Sequence, residues 1–123
     1  MKENLVEKIS ILLLKNGFTV KSMKSCFDII GRKDVSILLI KVLNDANALL
    51  QDAVVEMKRI ASYINASPVI IAEKSGNNLE DNIVYSRFGI YTVNFNTFEN
   101  SLRNKFPFIK SDKGGIKAEI VGR

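Results

Sequence analysis

A chain of 123 residues, 46% hydrophobic and 25% charged, is the size of one ordinary globular domain with a single core. No apolar run is long enough to span a bilayer, Ile11 to Leu14 being far too short, and no secretory leader is expected. A lone cysteine, Cys26, and the lack of histidine exclude an internal disulfide and a zinc site of the usual ligands, so a reducing cytoplasm is the expected setting. The net charge of +5 is concentrated at the end of the chain. From Ser101 onward Arg103, Lys105, Lys110, Lys113, Lys117 and Arg123 face only Asp112 and Glu119. Such a tail is either a solvated basic surface or a contact for nucleic acid.

Leu5, Ile9, Leu12 and Leu13 recur at helical spacing between Lys and Glu, and Asn16-Gly17 supplies a left-handed stop, so the pattern predicts a helix over 3–15. Phe18 to Met23, Cys26 to Arg32 and Val35 to Leu43 then read as three strands, with Lys33-Asp34 as the hairpin turn between the last two. Val35 to Leu43 is nearly all apolar, which belongs at the centre of a sheet covered on both faces. Leu49, Ala53, Met57, Ile60 and Ile64 form the stripe of a long helix over about 45–64, capped by Asn44 or Asp45. Pro68 opens a buried strand over Val69 to Glu73, and Lys74 to Asn78 reads as a polar turn.

The segment Leu79 to Phe88 is ambiguous between helix and extended chain, whereas Gly89 restarts a strand through Val93. Asn96 with Glu99 resembles a capping box for a short helix to about Asn104, and Ile116 to Val121 suggests a terminal edge strand. Phe106 and Phe108 either cover the core or lie in a dimer contact. Pattern alone gives an α/β domain with a mixed sheet of about five strands and helices on both faces.

With Lys33-Asp34 as the turn, antiparallel pairing places Asp28 opposite Leu39, with Lys41 two residues further along the same face. An ion pair between Asp28 and Lys41, partly covered by the first helix, is the structural expectation, and a phosphate contact by Lys41 is the functional one. Cys26 reads as a small core residue, since no histidine is present to activate it. Tyr85 and Arg87 either pack and sit exposed, with Gly89 allowing the next turn, or line a small surface for an anion. Lys58-Arg59 reads as a solvated face.

Asn16-Gly17-Phe18 ending a first helix, Phe27-Asp28-Ile29-Ile30 on one strand and Leu39-Ile40-Lys41-Val42 on the next resemble the PD-(D/E)XK nucleases, in particular the archaeal Holliday-junction resolvases. The resemblance implies a restriction-endonuclease-like fold. It also implies that Asp28 and an acid two places before Lys41 would hold a divalent ion that activates water. Leu39 stands at that second place and offers no oxygen, which implies vestigial positions at Asp28, Leu39 and Lys41, no cofactor and no catalysis. The acid expected in the first helix is replaced by Val6, with Glu7 one residue away and expected to be solvated.

Over nearly the whole length, Val84-Tyr85-Ser86-Arg87-Phe88-Gly89-Ile90, Asn96-Thr97-Phe98-Glu99 and Gly114-Gly115 extend the likeness. They make the chain similar to the N-terminal domain of archaeal helix-turn-helix transcriptional regulators. The implied organisation is a single nuclease-like domain over 1–123, either a piece ending at a domain boundary or a stand-alone relative, with the helix-turn-helix outside it. Three readings follow. One is a non-catalytic domain of a regulator, serving dimerisation, effector sensing or auxiliary DNA contact. The others are a metal-dependent structure-specific endonuclease and an interaction module with no nucleic-acid role. A homodimer is expected, with no membrane contact; the candidate contacts to DNA or another anion are Lys41, Arg87, Lys110, Lys113 and Lys117.

Overall fold

Leu5, Ile9 and Leu13 lie four residues apart and are all buried, so the first helix, α1 (Lys2–Lys15), presents one apolar stripe. It ends as Asn16-Gly17 forecasts. Gly17 has φ +86, its N–H reaches Leu14 O at 3.1 Å and Phe18 N–H reaches Leu13 O at 3.0 Å, the paired bonds of a left-handed helix stop. The computed structural model describes residues 2–103 and 119–120. After α1 come β1 (Thr19–Ser22), β2 (Ile29–Lys33), β3 (Ser36–Asp45), a 3₁₀ turn (Ala46–Ala48) and α2 (Gln51–Ile64). Then follow β4 (Ser67–Ser75), β5 (Asn77–Asn78), β6 (Ile83–Arg87), β7 (Ile90–Val93), α3 (Phe95–Arg103) and β8 (Glu119–Ile120).

The strands form a mixed sheet in the order β1-β2-β3-β4-β7-β6-β8, with β5 paired to the end of β4. The first three strands are an antiparallel meander, β3, β4 and β7 run parallel, and β6 returns antiparallel to β7. The crossover between β3 and β4 is α2, as a parallel pair requires. Leu38, Ile40 and Val42 of β3 join Val69 and Ile71 of β4 beneath α1 and Phe98 of α3. Leu39 and Ile70 face the other way, against Val54, Met57 and Ala61 of α2. The central strands are thus buried on both faces, as the apolar run Val35 to Leu43 requires.

Several boundaries differ from the sequence pattern for identifiable reasons. The hairpin turn is Asp34-Val35, with Asp34 at φ 56 and Lys33 paired to Ser36, because the aspartate tolerates the left-handed region. Strand β3 runs on to Asp45, whose carboxylate caps the 3₁₀ turn by accepting Asn47 N–H at 2.9 Å; α2 starts only at Gln51. The ambiguous stretch Leu79 to Phe88 is extended from Ile83, and Phe88 (φ 52) and Gly89 (φ +82) turn it into β7. The two-residue β5 lies within the stretch read as a polar turn, and β8 lies within the edge strand expected over Ile116 to Val121.

Helix α3 begins two residues earlier than a capping box at Asn96 implies. Asn94 Oδ1 accepts Thr97 N–H at 2.8 Å, and its amide donates to Asp81 Oδ1 at 2.7 Å and Leu79 O at 3.2 Å. Asn94 therefore caps the helix and ties down the loop before β6. Asn94→Ala is expected to cost about 1–2 kcal/mol and Asn96→Ala under about 0.5 kcal/mol in urea denaturation. A larger loss for Asn96→Ala would place the cap where the sequence pattern has it.

Candidate functional site

The β2-β3 register decides the neighbourhood of Asp28. Ile29 pairs with Ile40 and Ile30 with Leu39, and Asp28 N–H donates to Ile40 O at 2.9 Å. Asp28 therefore stands opposite Lys41 and not opposite Leu39, because moving the turn by one residue moves the pairing by two. A two-residue shift preserves the side-chain alternation, so Asp28 and Lys41 still meet.

Three polar groups converge on the Asp28 carboxylate. Val42 N–H donates to Oδ2 at 2.7 Å, Lys41 Nζ lies 3.9 Å from Oδ2, and Lys2 Nζ lies 3.0 Å from Oδ1. The Asp28 and Lys41 side chains are 15% and 16% exposed, the Lys2 side chain 38%. The expected ion pair is present but long, and the shorter contact comes from the first turn of α1. No local pattern announces Lys2, since its partner is brought by the packing of α1 on the meander. Lys2, Glu3, Val6, Ser22, Lys24 and Asp28 are among the residues lining a shallow cleft of about 390 Å³. Glu7 is exposed, as expected of a solvated helix residue.

Leu39 is 1% exposed and packs in the α2-side core with Phe27, Met57 and Ile70. Cys26 is half-buried against that core; burial pushes its thiol up, and Glu56 adds to the rise. A protonated thiol is a poor nucleophile, which suits a packing role. Among the described residues no group of three or more Asp, Glu, Cys or His side chains is arranged to hold a metal ion.

Arg87 does not join this cluster. It lies on β6, which β4 and β7 separate from β3, about 14 Å away at ordinary strand spacing. It is half-buried, donates Nε–H to Ala46 O at 2.9 Å and sits 5.0 Å from the Phe88 ring centre. Lys58 and Arg59 are exposed, and Arg59 pairs with Glu56. Lys110, Lys113 and Lys117, like Phe106 and Phe108, lie outside the described residues.

A family model described as a PD-(D/E)XK superfamily domain matches residues 2–107. The chain belongs to the PD-(D/E)XK superfamily. A Thermoplasma volcanium protein named "Putative HTH-type transcriptional regulatory protein" is 36% identical to this PD-(D/E)XK chain over 98% of it and 40% of the relative. An Archaeoglobus fulgidus protein of the same name is 36% identical over 94% and 40%. The chain thus spans about two-fifths of the length of the curated relatives it matches. The structure of the Holliday junction resolvase Hjc from Archaeoglobus fulgidus is 21% identical, with a TM-score of 0.49 over 58% of this chain and 68% of that one.

Removing the Asp28 carboxylate leaves Val42 N–H and Lys41 without their acceptor. Asp28→Ala is expected to destabilise by about 2–3 kcal/mol, and Lys2→Met, at the more exposed end, by under about 1 kcal/mol. Equal shifts in the urea midpoint for the two variants would show that the carboxylate serves the surface only.

Proposed function

We propose that this chain is a non-catalytic PD-(D/E)XK domain of a transcriptional regulator, two-fold dimeric and contributing an auxiliary, sequence-indifferent contact to DNA. The observation that supports the reading is Leu39. The place two residues before Lys41 is filled by an isobutyl group sealed between the sheet and α2. A hard divalent ion needs several oxygen ligands. No group of three possible ligand side chains is found among the described residues, and the Asp28 carboxylate is already engaged by a backbone N–H and two ammonium groups. That donor set does not fit the metal, and we derive no hydrolytic step through it.

The names of the relatives support the regulator reading, and their greater length leaves room for a sequence-reading element outside these residues. A cytoplasmic setting goes with that role, and no described helix is long and apolar enough to cross a membrane. Lys41 is committed to Asp28, so the DNA contact falls to the basic tail with Lys110, Lys113 and Lys117. The competing reading, a metal-dependent endonuclease, draws on the persistence of Asp28 beside Lys41.

Incubation with branched and linear DNA in magnesium or manganese is expected to give no cleavage, and light scattering of the same sample a dimer mass. Cleavage that disappears in Asp28→Asn would overturn the reading. In a salt titration of binding to generic duplex DNA, Lys41→Met is expected to bind as wild type. Changing Lys110, Lys113 and Lys117 to Gln should lower the slope of log affinity against log salt by about 2–3. Loss of binding in Lys41→Met alone would return the DNA contact to the nuclease-like face.

A further inference from the structure

On the α2 side of the sheet, remote from Asp28, a cavity of about 70 Å³ opens between β6, β7, the end of β4 and the 3₁₀ turn. Its walls include Ser75, Tyr85, Arg87 and Thr92, with the backbone of Ala46 alongside. From these we infer that the cavity is a binding site for a small free oxyanion of the phosphate or sulfate type, with Arg87 as its cation. The inference is independent of any contact with DNA.

Arg87 is the half-buried arginine of the described residues, and no described carboxylate forms a salt bridge with it. Arg59 and Arg103, both far more exposed, have Glu56 and Glu99. A guanidinium carries five N–H groups in one plane. Nε–H is taken by Ala46 O, which fixes the plane, and the Phe88 ring lies 5.0 Å from the guanidinium carbon. The outer N–H groups have no acceptor among the described residues. No side-chain nitrogen of Arg87 is both buried and unpartnered, so the outer N–H groups are open to a ligand, and a guanidinium held in a fixed plane matches two oxygens of an oxyanion.

The remaining walls suit the same ligand. Tyr85 Oη accepts Glu80 N–H at 3.2 Å, which leaves its own hydroxyl proton to donate. No acidic side chain lines the cavity. On the outside of the β6-β7 turn, a Cβ on Gly89 would meet Lys58 Nζ at 2.9 Å, so a second cation with no described salt bridge lies against the strand pair that carries Arg87. Size sets the limit: about 70 Å³ admits an anion of a few heavy atoms and falls well below the roughly 300–1,000 Å³ of sites for drug-sized ligands. A nucleotide is too large.

The test is calorimetric titration of inorganic phosphate into the chain at constant ionic strength, for wild type, Arg87→Gln, Arg87→Lys and Tyr85→Phe. Wild type is expected to show saturable binding with a dissociation constant below about 10 mM. Arg87→Gln should weaken it by about tenfold or more, Arg87→Lys by less, and Tyr85→Phe, which keeps the ring and the Arg87 bond to Ala46, by about threefold to tenfold. Absence of saturable binding in wild type, or equal affinity in Arg87→Gln, overturns the assignment. Should Arg87→Gln fail to fold, equal affinity in Tyr85→Phe does so. Duplex DNA added at saturation should leave the phosphate isotherm unchanged; competition would assign the cavity to a backbone phosphate and overturn the free-anion reading.

Discussion

Burial of β3 on both faces is the constraint from which the rest of this domain follows. A strand with Leu38, Ile40 and Val42 under α1 and Leu39 under α2 cannot lie at an edge, so it takes β2 on one side and β4 on the other. Parallel pairing with β4 then demands a crossover, and α2 supplies it while covering the second face. Each fully buried leucine or isoleucine in this strand is worth about 1.5–3 kcal/mol over its exposed state. Its polar groups each find a local partner: Lys41 meets Asp28, and Asp45 at the strand's end caps the following turn.

The same constraint shapes the neighbourhood of Asp28. Leu39, two residues before Lys41 on β3, is taken up by the α2-side core. What remains around Asp28 is one negative charge between two ammonium groups and a backbone N–H. Such a cluster is satisfied by its own members. It compensates the charge of a largely buried carboxylate, and it makes the packing of α1 through Lys2 part of the electrostatics of the meander.

Two cations of the sheet also differ in how they are held. Lys41 is neutralised locally, whereas Arg87, three strands away, is positioned by a carbonyl and a ring but by no described acid. The bond from Arg87 to Ala46 ties β6 to the turn that follows β3. Strand β6 and the end of the central strand β3 are thereby coupled through one side chain.

Much of this was legible in local pattern. The four-residue repeat of α1, the Asn16-Gly17 stop, the apolar run of β3 and the stripe of α2 each carry their own period or their own left-handed residue, and a period is a property of neighbours along the chain. The pairing of Asp28 with Lys41 was also readable, because alternation survives a two-residue error in register. The sequence by itself thus determined the α/β class, the covered central strand and the Asp28-Lys41 contact. Only the tertiary structure decided the turn at Asp34-Val35, the cap at Asn94, the reach of Lys2 to Asp28 and the placing of Arg87 beside Ala46. Those contacts join residues 26 or 41 positions apart in the last two cases, and the free energy that selects them comes from packing faces together, which no window along the chain contains.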